Sequence, residues 1–425
     1  MTAKLLMMRS LGNPLKQLIS QSFIKFSIYR WAIKKQRKCL TILIVFMLFS
    51  FPLISHSQSI FDYKGYLQNT QTVWAPEQSD AWILSGLVLN RFDFFIYPSD
   101  AWTVNIGMRN LIDYGNMKPL IDFDPRTKSY ADLVTKDEGY FNLTKKWTDG
   151  TSYVFYSNID RFNIFYSGEN IEFQVGRQRI NWGVNLAWTP NDIFNSTSYL
   201  NFDYPERQGS DGGRVQYYFG YATSLELVYK IDYNKEITSA LMFKFNEWDY
   251  DFQVFSGTMM EDYVVGGGWS GNISTANFSG EVTYFRDREN FADTTGQLVS
   301  SLGITYTFPN DIYLHGEFLY NSAGKLGNAG GSGNLFTNPY NAKNLSPARY
   351  SLFGDIAYQI TPLIRLDVSS IFNPSDKSFY FGPFLDISLS QSVDLLMAGQ
   401  FFFGDEGTEW GDYGQFYYLR VKWNF

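Results

Sequence analysis

The chain ends in QFYYLRVKWNF, residues 415–425, and its last residue is a phenylalanine. Tyr417, Leu419, Val421, Trp423 and Phe425 fall on one side of an extended chain, and Tyr418, Arg420, Lys422 and Asn424 on the other. A period of two with one apolar and one polar side is a strand whose faces meet different surroundings. Most domains leave their last residues polar and loose. Whether this strand faces a protein core or a membrane is decided by the rest of the chain.

The same alternation recurs from Ile60 onward in segments of about ten residues, the length of a tilted membrane strand. WTVNIGMRN, 102–110, sets Trp102, Val104, Ile106 and Met108 opposite Thr103, Asn105 and Arg109. GRVQYYFG, 213–220, sets Val215, Tyr217 and Phe219 opposite Arg214, Gln216 and Tyr218. SLELVYKI, 224–231, and LIRLDVSSIF, 363–372, likewise keep their charges on one side. Helical periodicity is almost absent.

The breaks between segments alternate in length. Counting back from Phe425, 403–412 is long, 390–392 short, 373–378 intermediate and 360–362 short. Residues 322–347 are long, 309–311 tight, 286–296 long and 271–274 short. Short turns on one side and long loops on the other mark an outer-membrane barrel, with the short turns and both chain ends on the periplasmic side. We therefore expect an all-β, transmembrane antiparallel β-barrel of about 18 strands over 58–425. Sixteen is the alternative, if 213–219 or 261–270 does not span. A closed barrel pairs every backbone N–H and C=O without an edge, as hydrocarbon requires. Aromatics at strand ends (Trp74, Trp82, Tyr97, Trp102, Phe403, Trp423) fit an interfacial girdle better than a soluble sandwich.

Composition agrees. Aromatic residues make up 19% of the 425, including 30 Tyr and 38 Phe, and mean hydropathy is slightly negative, because only alternate strand residues meet lipid. Residues 1–57 carry nine Lys or Arg and no acid, leaving 26 basic against 42 acidic residues, a net of −16, beyond them. That surface argues against nucleic acid as a partner. The basic block is followed by an apolar run, Leu40–Ile54, and by Ser55-His56-Ser57 before Gln58. This is the pattern of a secretory signal cleaved between Ser57 and Gln58; the run is short for an anchor helix. Cys39 lies in this leader, and His315 is the one histidine beyond it. Zinc sites built on several His or Cys ligands are thus nearly excluded, and no cofactor or specific metal site is expected, the acidic group Asp405, Glu406, Glu409 and Asp412 included.

The densest polar stretch is 171–214. In a regular strand Arg177 and Arg179 would share the lipid face of Ile171, Phe173 and Val175, at about 2–4 kcal/mol each at mid-depth. A bulge at Gly176 reverses the alternation. Glu172, Gln174, Arg177, Arg179 and Asn181 then face the lumen, and Ile180 and Trp182 face lipid. Residues 183–213 are too long for a hairpin. With Trp188, Asp192, Tyr199, Asp203, Tyr204, Glu206, Arg207 and Asp211 they read either as an inward-folded constriction loop or as a solvated surface loop. Strand parity adds Arg109, Arg161, Arg214, Lys230, Arg365, Arg420 and Lys422 as luminal cations, which either line a passage or pair with Glu226, Asp367 and Asp386.

GRQRINWG, 176–183, followed by TPNDIFN and ERQGSDGGRV, resembles the G-R-Q-x-x-x-W-G region of porin-like and alginate-export-like outer-membrane barrels. The match covers about forty residues; the strand rhythm and terminal phenylalanine extend a general likeness over 60–425. The resemblance implies a channel for small hydrophilic, anionic or sugar-like solutes, with Arg177, Gln178, Arg179, Trp182 and Arg207 as candidate pore residues. Arg214, Arg109, Arg161 and Arg365 join them from parity. A second arginine-rich track matching a dedicated alginate exporter is missing. The alternating end, Tyr417, Leu419, Val421, Trp423 and Phe425, resembles the signal that outer-membrane proteins present to the barrel-assembly machinery. Its further partners would be outer-membrane lipid, the solute and other copies of the barrel.

Three functions remain: a passive channel, a non-conducting barrel that anchors surface assemblies, and an enzyme. The enzyme reading rests on His315, with Tyr313 and Glu317 of the same parity, but no GxSxG motif accompanies it. Residues 113–150, with a short helix, decide between the first two, because a plug there favours the anchor.

Overall fold

The computed structural model describes residues 60–425, apart from 78, 124–127, 293–294 and 331–339. The leader and its cleavage site at Ser57–Gln58 lie outside the described residues.

Nineteen strands follow one another: β1 (Phe61–Ala75), β2 (Ile83–Ser99), β3 (Trp102–Gly115), β4 (Thr144–Gly150), β5 (Tyr153–Ser167), β6 (Ile171–Gln178) and β7 (Ser210–Tyr218). Next come β8 (Ser224–Ile231), β9 (Ile237–Glu247), β10 (Tyr250–Met259), β11 (Asp262–Ile273), β12 (Ala276–Asp287) and β13 (Gln297–Thr307). The last are β14 (Ile312–Asn321), β15 (Tyr350–Thr361), β16 (Ile364–Phe372), β17 (Phe379–Ser390), β18 (Val393–Phe403) and β19 (Gln415–Asn424). Two five-residue helices, α1 (Met117–Ile121) and α2 (Tyr130–Val134), interrupt the β3–β4 connection. Among the described residues no helix is long and apolar enough to cross a membrane.

Each strand pairs antiparallel with the next, except that β3 pairs with β5 and β4 is added beside the upper part of β5. Setting β4 aside, the ring has 18 strands. The two weakest sequence segments are full members of it, as β7 and β11. The ring closes where β1 meets β19, with Tyr66 opposite Asn424 through to Ala75 opposite Gln415. Beyond the ladder, Gly65 and Phe425 exchange both backbone hydrogen bonds at 2.9 Å. The terminal residue is therefore the last rung of the wall.

Eight connections of two to five residues (100–101, 168–170, 219–223, 248–249, 274–275, 308–311, 362–363, 391–392) lie at one end, with both ends of the barrel chain. The opposite end carries 116–152, 179–209, 322–349 and 404–414, but also the tight turns 232–236 and 260–261. Burial is inverted relative to a soluble protein. Leu302, Ile304, Leu314, Leu352, Ile356, Tyr417, Leu419 and Val421 are exposed on the outer wall, whereas Glu226, Glu281, Glu317 and Asp355 are buried inside. Alternation with a period of two produces this sorting, and it is stable only with an apolar medium outside.

The seam generates a test. A Cβ on Gly65 would stand 2.4 Å from the Arg91 carbonyl oxygen and 2.8 Å from the Phe425 ring. Gly65→Val is expected to cost about 1–3 kcal/mol by overpacking and to lower the fraction that migrates as folded, heat-modifiable barrel on a gel.

Candidate functional site

β6 is short, at eight residues, and its local chemistry sets up the site. Val175 is 51% exposed on the outer face, and Phe162, opposite Arg177, is 54% exposed, yet Arg177 is only 3% exposed. Gly176 between them has φ +114°, and a Cβ there would lie 2.2 Å from the Phe162 carbonyl oxygen. Only glycine accepts that turn, and it sends Arg177 inward. The guanidinium donates to both Asp211 oxygens (2.7 and 2.8 Å), to Asp137 (3.0 Å) and to the carbonyls of Ile159 and Phe141. It ties β5, β6 and β7 to residues 137–141, which stand where β6 stops short. Gln178, 1% exposed, donates back to the Gln174 carbonyl at 3.0 Å. The structure thus places Arg177 and Gln178 in the wall's buried framework.

Ile180 and Trp182, expected from parity to face lipid, are each 2% exposed and lie inside. The strand has ended at Gln178, so parity no longer applies, and the chain turns down the lumen. The Trp182 indole donates to Glu226 at 3.2 Å, its carbonyl accepts from Gln253 at 2.8 Å, and its ring meets Phe194 and Phe255 edge-on. Glu281 of β12 then accepts the backbone N–H groups of Val184, Asn185 (2.7 Å) and Asn191 (2.8 Å). Glu317 of β14 accepts those of Ala187 (2.9 Å) and Trp188 (2.8 Å). Two wall carboxyl groups therefore hold five donors of an otherwise irregular segment. The sequence does not single out Glu281, and it marks Glu317 only by the luminal parity it shares with His315. The available signal was acids at luminal parity with no basic partner across the strand.

The segment continues around the inside. Tyr199 packs edge-on against Phe353 of β15, and Phe202 against Phe384 of β17 and Tyr418 of β19. Asp203 accepts from Gln68 (2.9 Å) and Thr70 (3.2 Å) of β1 and faces Arg420 at 3.3 Å. Tyr204 donates to Asp160, and its ring lies 3.8 Å from the Arg109 guanidinium. Arg161 donates to the carbonyls of Glu206 and Arg207. Residues 179–209 form an inward loop fastened to the wall from β8 to β19 and across the seam to β1 and β5. The sequence bounds of 183–213 shift because Ser210–Gly213 belong to β7.

The remaining candidates divide. Arg161, Arg179 and Arg207 come together: burial first, and then Arg207 and Arg161, hold the Arg179 guanidinium below its usual range, against the opposing pull of Asp192. Among the described residues no carboxylate lies within ion-pair distance of Arg179, Arg207 or Arg109, and the Nε atoms of Arg109 and Arg179 are buried without a hydrogen bond. Arg214 is spent on Glu226 at 2.7 Å. Arg365, half-exposed, stands apart beside Asp367 at 3.4 Å. His315 lies 2.7 Å from Thr305 and 3.2 Å from Glu317, so it braces the loop anchor. Among the described residues no group of three His, Cys, Asp or Glu could hold a metal.

The upper lumen is well filled. Met242, Phe255, Val264, Phe285, Val299, Leu319 and Phe353 join Trp182, Trp188 and Phe194 of the loop in one apolar cluster. Across the barrel α2 inserts Ala131, fully buried, among Leu89, Leu111, Val154 and Tyr156. Residues 113–150 therefore contribute the last residues of β3, an inward helix and the added strand β4.

No protein-family model matches the chain, and no curated protein matches it in sequence. Solved structures do match in shape. Acinetobacter baumannii OccAB4 is similar at 11% identity and TM-score 0.53, over 87% of this chain and 99% of that one. Pseudomonas aeruginosa OccK11 matches at 10% and 0.52, over 86% and 96%. The outer membrane protein OprD from the same species matches at 10% and 0.51, over 86% and 93%. At these identities the likeness is one of fold: this chain has the architecture of an outer-membrane β-barrel.

Two tests follow from the loop and its supports. Arg177→Ala leaves Asp137 and Asp211 buried without a counter-ion and is expected to cost about 3–5 kcal/mol, read as a lowered unfolding midpoint of the refolded barrel. Arg177→Lys recovers only part, because an ammonium cannot span both Asp211 oxygens. Burial pushes the fully buried Asp192 carboxyl up to about 6, against the pull of Arg179, Lys230 and Arg207. In the window between about 4 and 6 the folded chain then holds a proton that the unfolded chain lacks, so stability rises as pH falls through it. Asp192→Asn should remove that increment from the midpoint measured between pH 7 and 4.

Proposed function

We propose that this protein is a passive channel of the Gram-negative outer membrane for small hydrophilic solutes, with residues 179–209 as its constriction. The observation that carries the reading is the inward loop, held to the luminal wall through Glu281 and Glu317. A loop so fastened keeps one cross-section, which is what selection by size requires. The likeness in fold to OprD supports the same reading. Arg109, Arg179 and Arg207, with no carboxylate at ion-pair distance among the described residues, and Arg161, paired only with Asp160 at 3.6 Å, favour anionic solutes over cations. Sugar-like solutes are a second class in keeping with the polar wall.

Delivery fits this role. The leader 1–57, cleaved at Ser57–Gln58, would direct export, and the strand ending in Phe425 would be read by the barrel-assembly machinery before it closes the seam. Association of copies in the bilayer would follow insertion. The inward helix α2 and the apolar filling favour one alternative, a non-conducting barrel that anchors surface assemblies.

Single-channel conductance of the refolded barrel in a planar bilayer, with the reversal potential read in a salt gradient, separates the two. Steady ohmic current with anion preference is expected, and Arg179→Ala combined with Arg207→Ala should shift the reversal potential toward zero. A heat-modifiable barrel that stays silent at all voltages would remove the channel reading and leave the anchor.

A further inference from the structure

A hollow of about 430 Å³ opens at the short-turn end of the lumen, beneath the start of the inward loop. Its wall is built from neighbouring strands. Ser224 of β8 stands opposite Lys244 of β9, which stands opposite Gln253 of β10, and Asp251 stands opposite Ser270 of β11. Asn181–Val184 form its roof, fixed by the hydrogen bond from Gln253 to the Trp182 carbonyl. One luminal position further up, β9 and β10 present Met242 and Phe255, 0% and 4% exposed. The wall thus changes at the level of Trp182 from apolar packing to a polar patch that no other part of the described chain covers.

The groups in this patch have unused bonding capacity. Among the described residues no acid lies within ion-pair distance of Lys244. Asp251 accepts one bond, from Asn246 at 2.8 Å, which leaves its second oxygen free. Asn181 is exposed at the roof. Two aromatic rings flank the patch. Tyr218 has its hydroxyl committed to Glu172 at 3.0 Å, and Tyr221 projects fully exposed from the 219–223 turn.

One ammonium, one carboxylate, amides, hydroxyls and two phenol rings give a site of low net charge. It is rich in donors and acceptors and is bordered by aromatic faces. An anion would meet Asp251 and a cation would meet Lys244. A neutral ligand with many hydroxyls and an apolar C–H face satisfies all of them at once. The volume lies toward the lower part of the ~300–1,000 Å³ range of small-molecule sites. We propose that this hollow is a binding subsite for a neutral monosaccharide or a polyol of similar size. Its role as a station on a permeation route rests on the channel reading; binding itself does not.

The test is equilibrium titration of the full barrel in detergent, followed by tryptophan fluorescence, because Trp182 lines the hollow. Glucose is the probe, and sodium acetate is the comparator that carries charge without hydroxyls. Saturable glucose binding is expected, weakened at least about tenfold, or ~1.4 kcal/mol, by Tyr221→Ala and by Lys244→Met. Both variants alter accessible side chains, and their heat-modifiable mobility checks that they fold. Acetate binding tighter than glucose, or glucose binding that neither substitution weakens, overturns the subsite. A barrel silent in the bilayer that still binds glucose keeps the subsite and removes the channel. A conducting barrel without saturable glucose binding does the reverse.

Discussion

Every part of this protein depends on one constraint: in an apolar medium each backbone N–H and C=O must find a partner within the wall. A ring of antiparallel strands meets it only if the last strand reaches the first. Here that contact includes the final residue, where Phe425 and Gly65 exchange both of their backbone bonds. The close approach needs glycine at 65, since any Cβ would collide with Arg91 and Phe425. At β6 the same constraint fails locally, because the strand ends after eight residues. There Arg177 and the segment it grips complete the wall in place of strand pairing.

The interior obeys the opposite rule. A loop taken into the lumen brings backbone donors with it, and each buried donor left unpaired costs about 1–3 kcal/mol. Glu281 and Glu317 resolve this by accepting five of them. Because the acceptors sit on rigid strands, the loop takes its position from the wall. The aromatic contacts of Trp182, Tyr199 and Phe202 fill the space between the anchors, and Asp203, Tyr204 and Glu206 finish the circuit on the seam side.

Charge inside is sorted by the same loop. Several luminal cations are neutralised where they stand: Arg177 by Asp137 and Asp211, Arg214 by Glu226, Arg420 by Asp203. Arg179 and Arg207 are different, because the loop brings them beside Arg161, itself paired with Asp160 at 3.6 Å, and the repulsion on Arg179 is opposed by Asp192. Such a concentration of like charge in a confined lumen is the feature most able to act on a passing solute.

The sequence by itself determined the wall. Alternation with a period of two, short and long breaks in turn and the apolar strand end indicated the barrel and about 18 strands, with sixteen left as the alternative, because these properties are local or nearly so. Gly176 likewise disclosed a reversal, since an arginine facing lipid is costly wherever the strand lies. Parity stopped being informative at Gln178. Beyond it Trp182 was assigned to the wrong side, and the anchoring role of Glu281 and Glu317 went unrecognised, although each lies on a correctly placed strand. Whether residues 179–209 stay outside or enter the lumen depends on which wall groups meet their backbone donors about 90 to 130 residues away in sequence. Only the closed barrel decides that, because it alone sets those carboxylates opposite the chain that needs them.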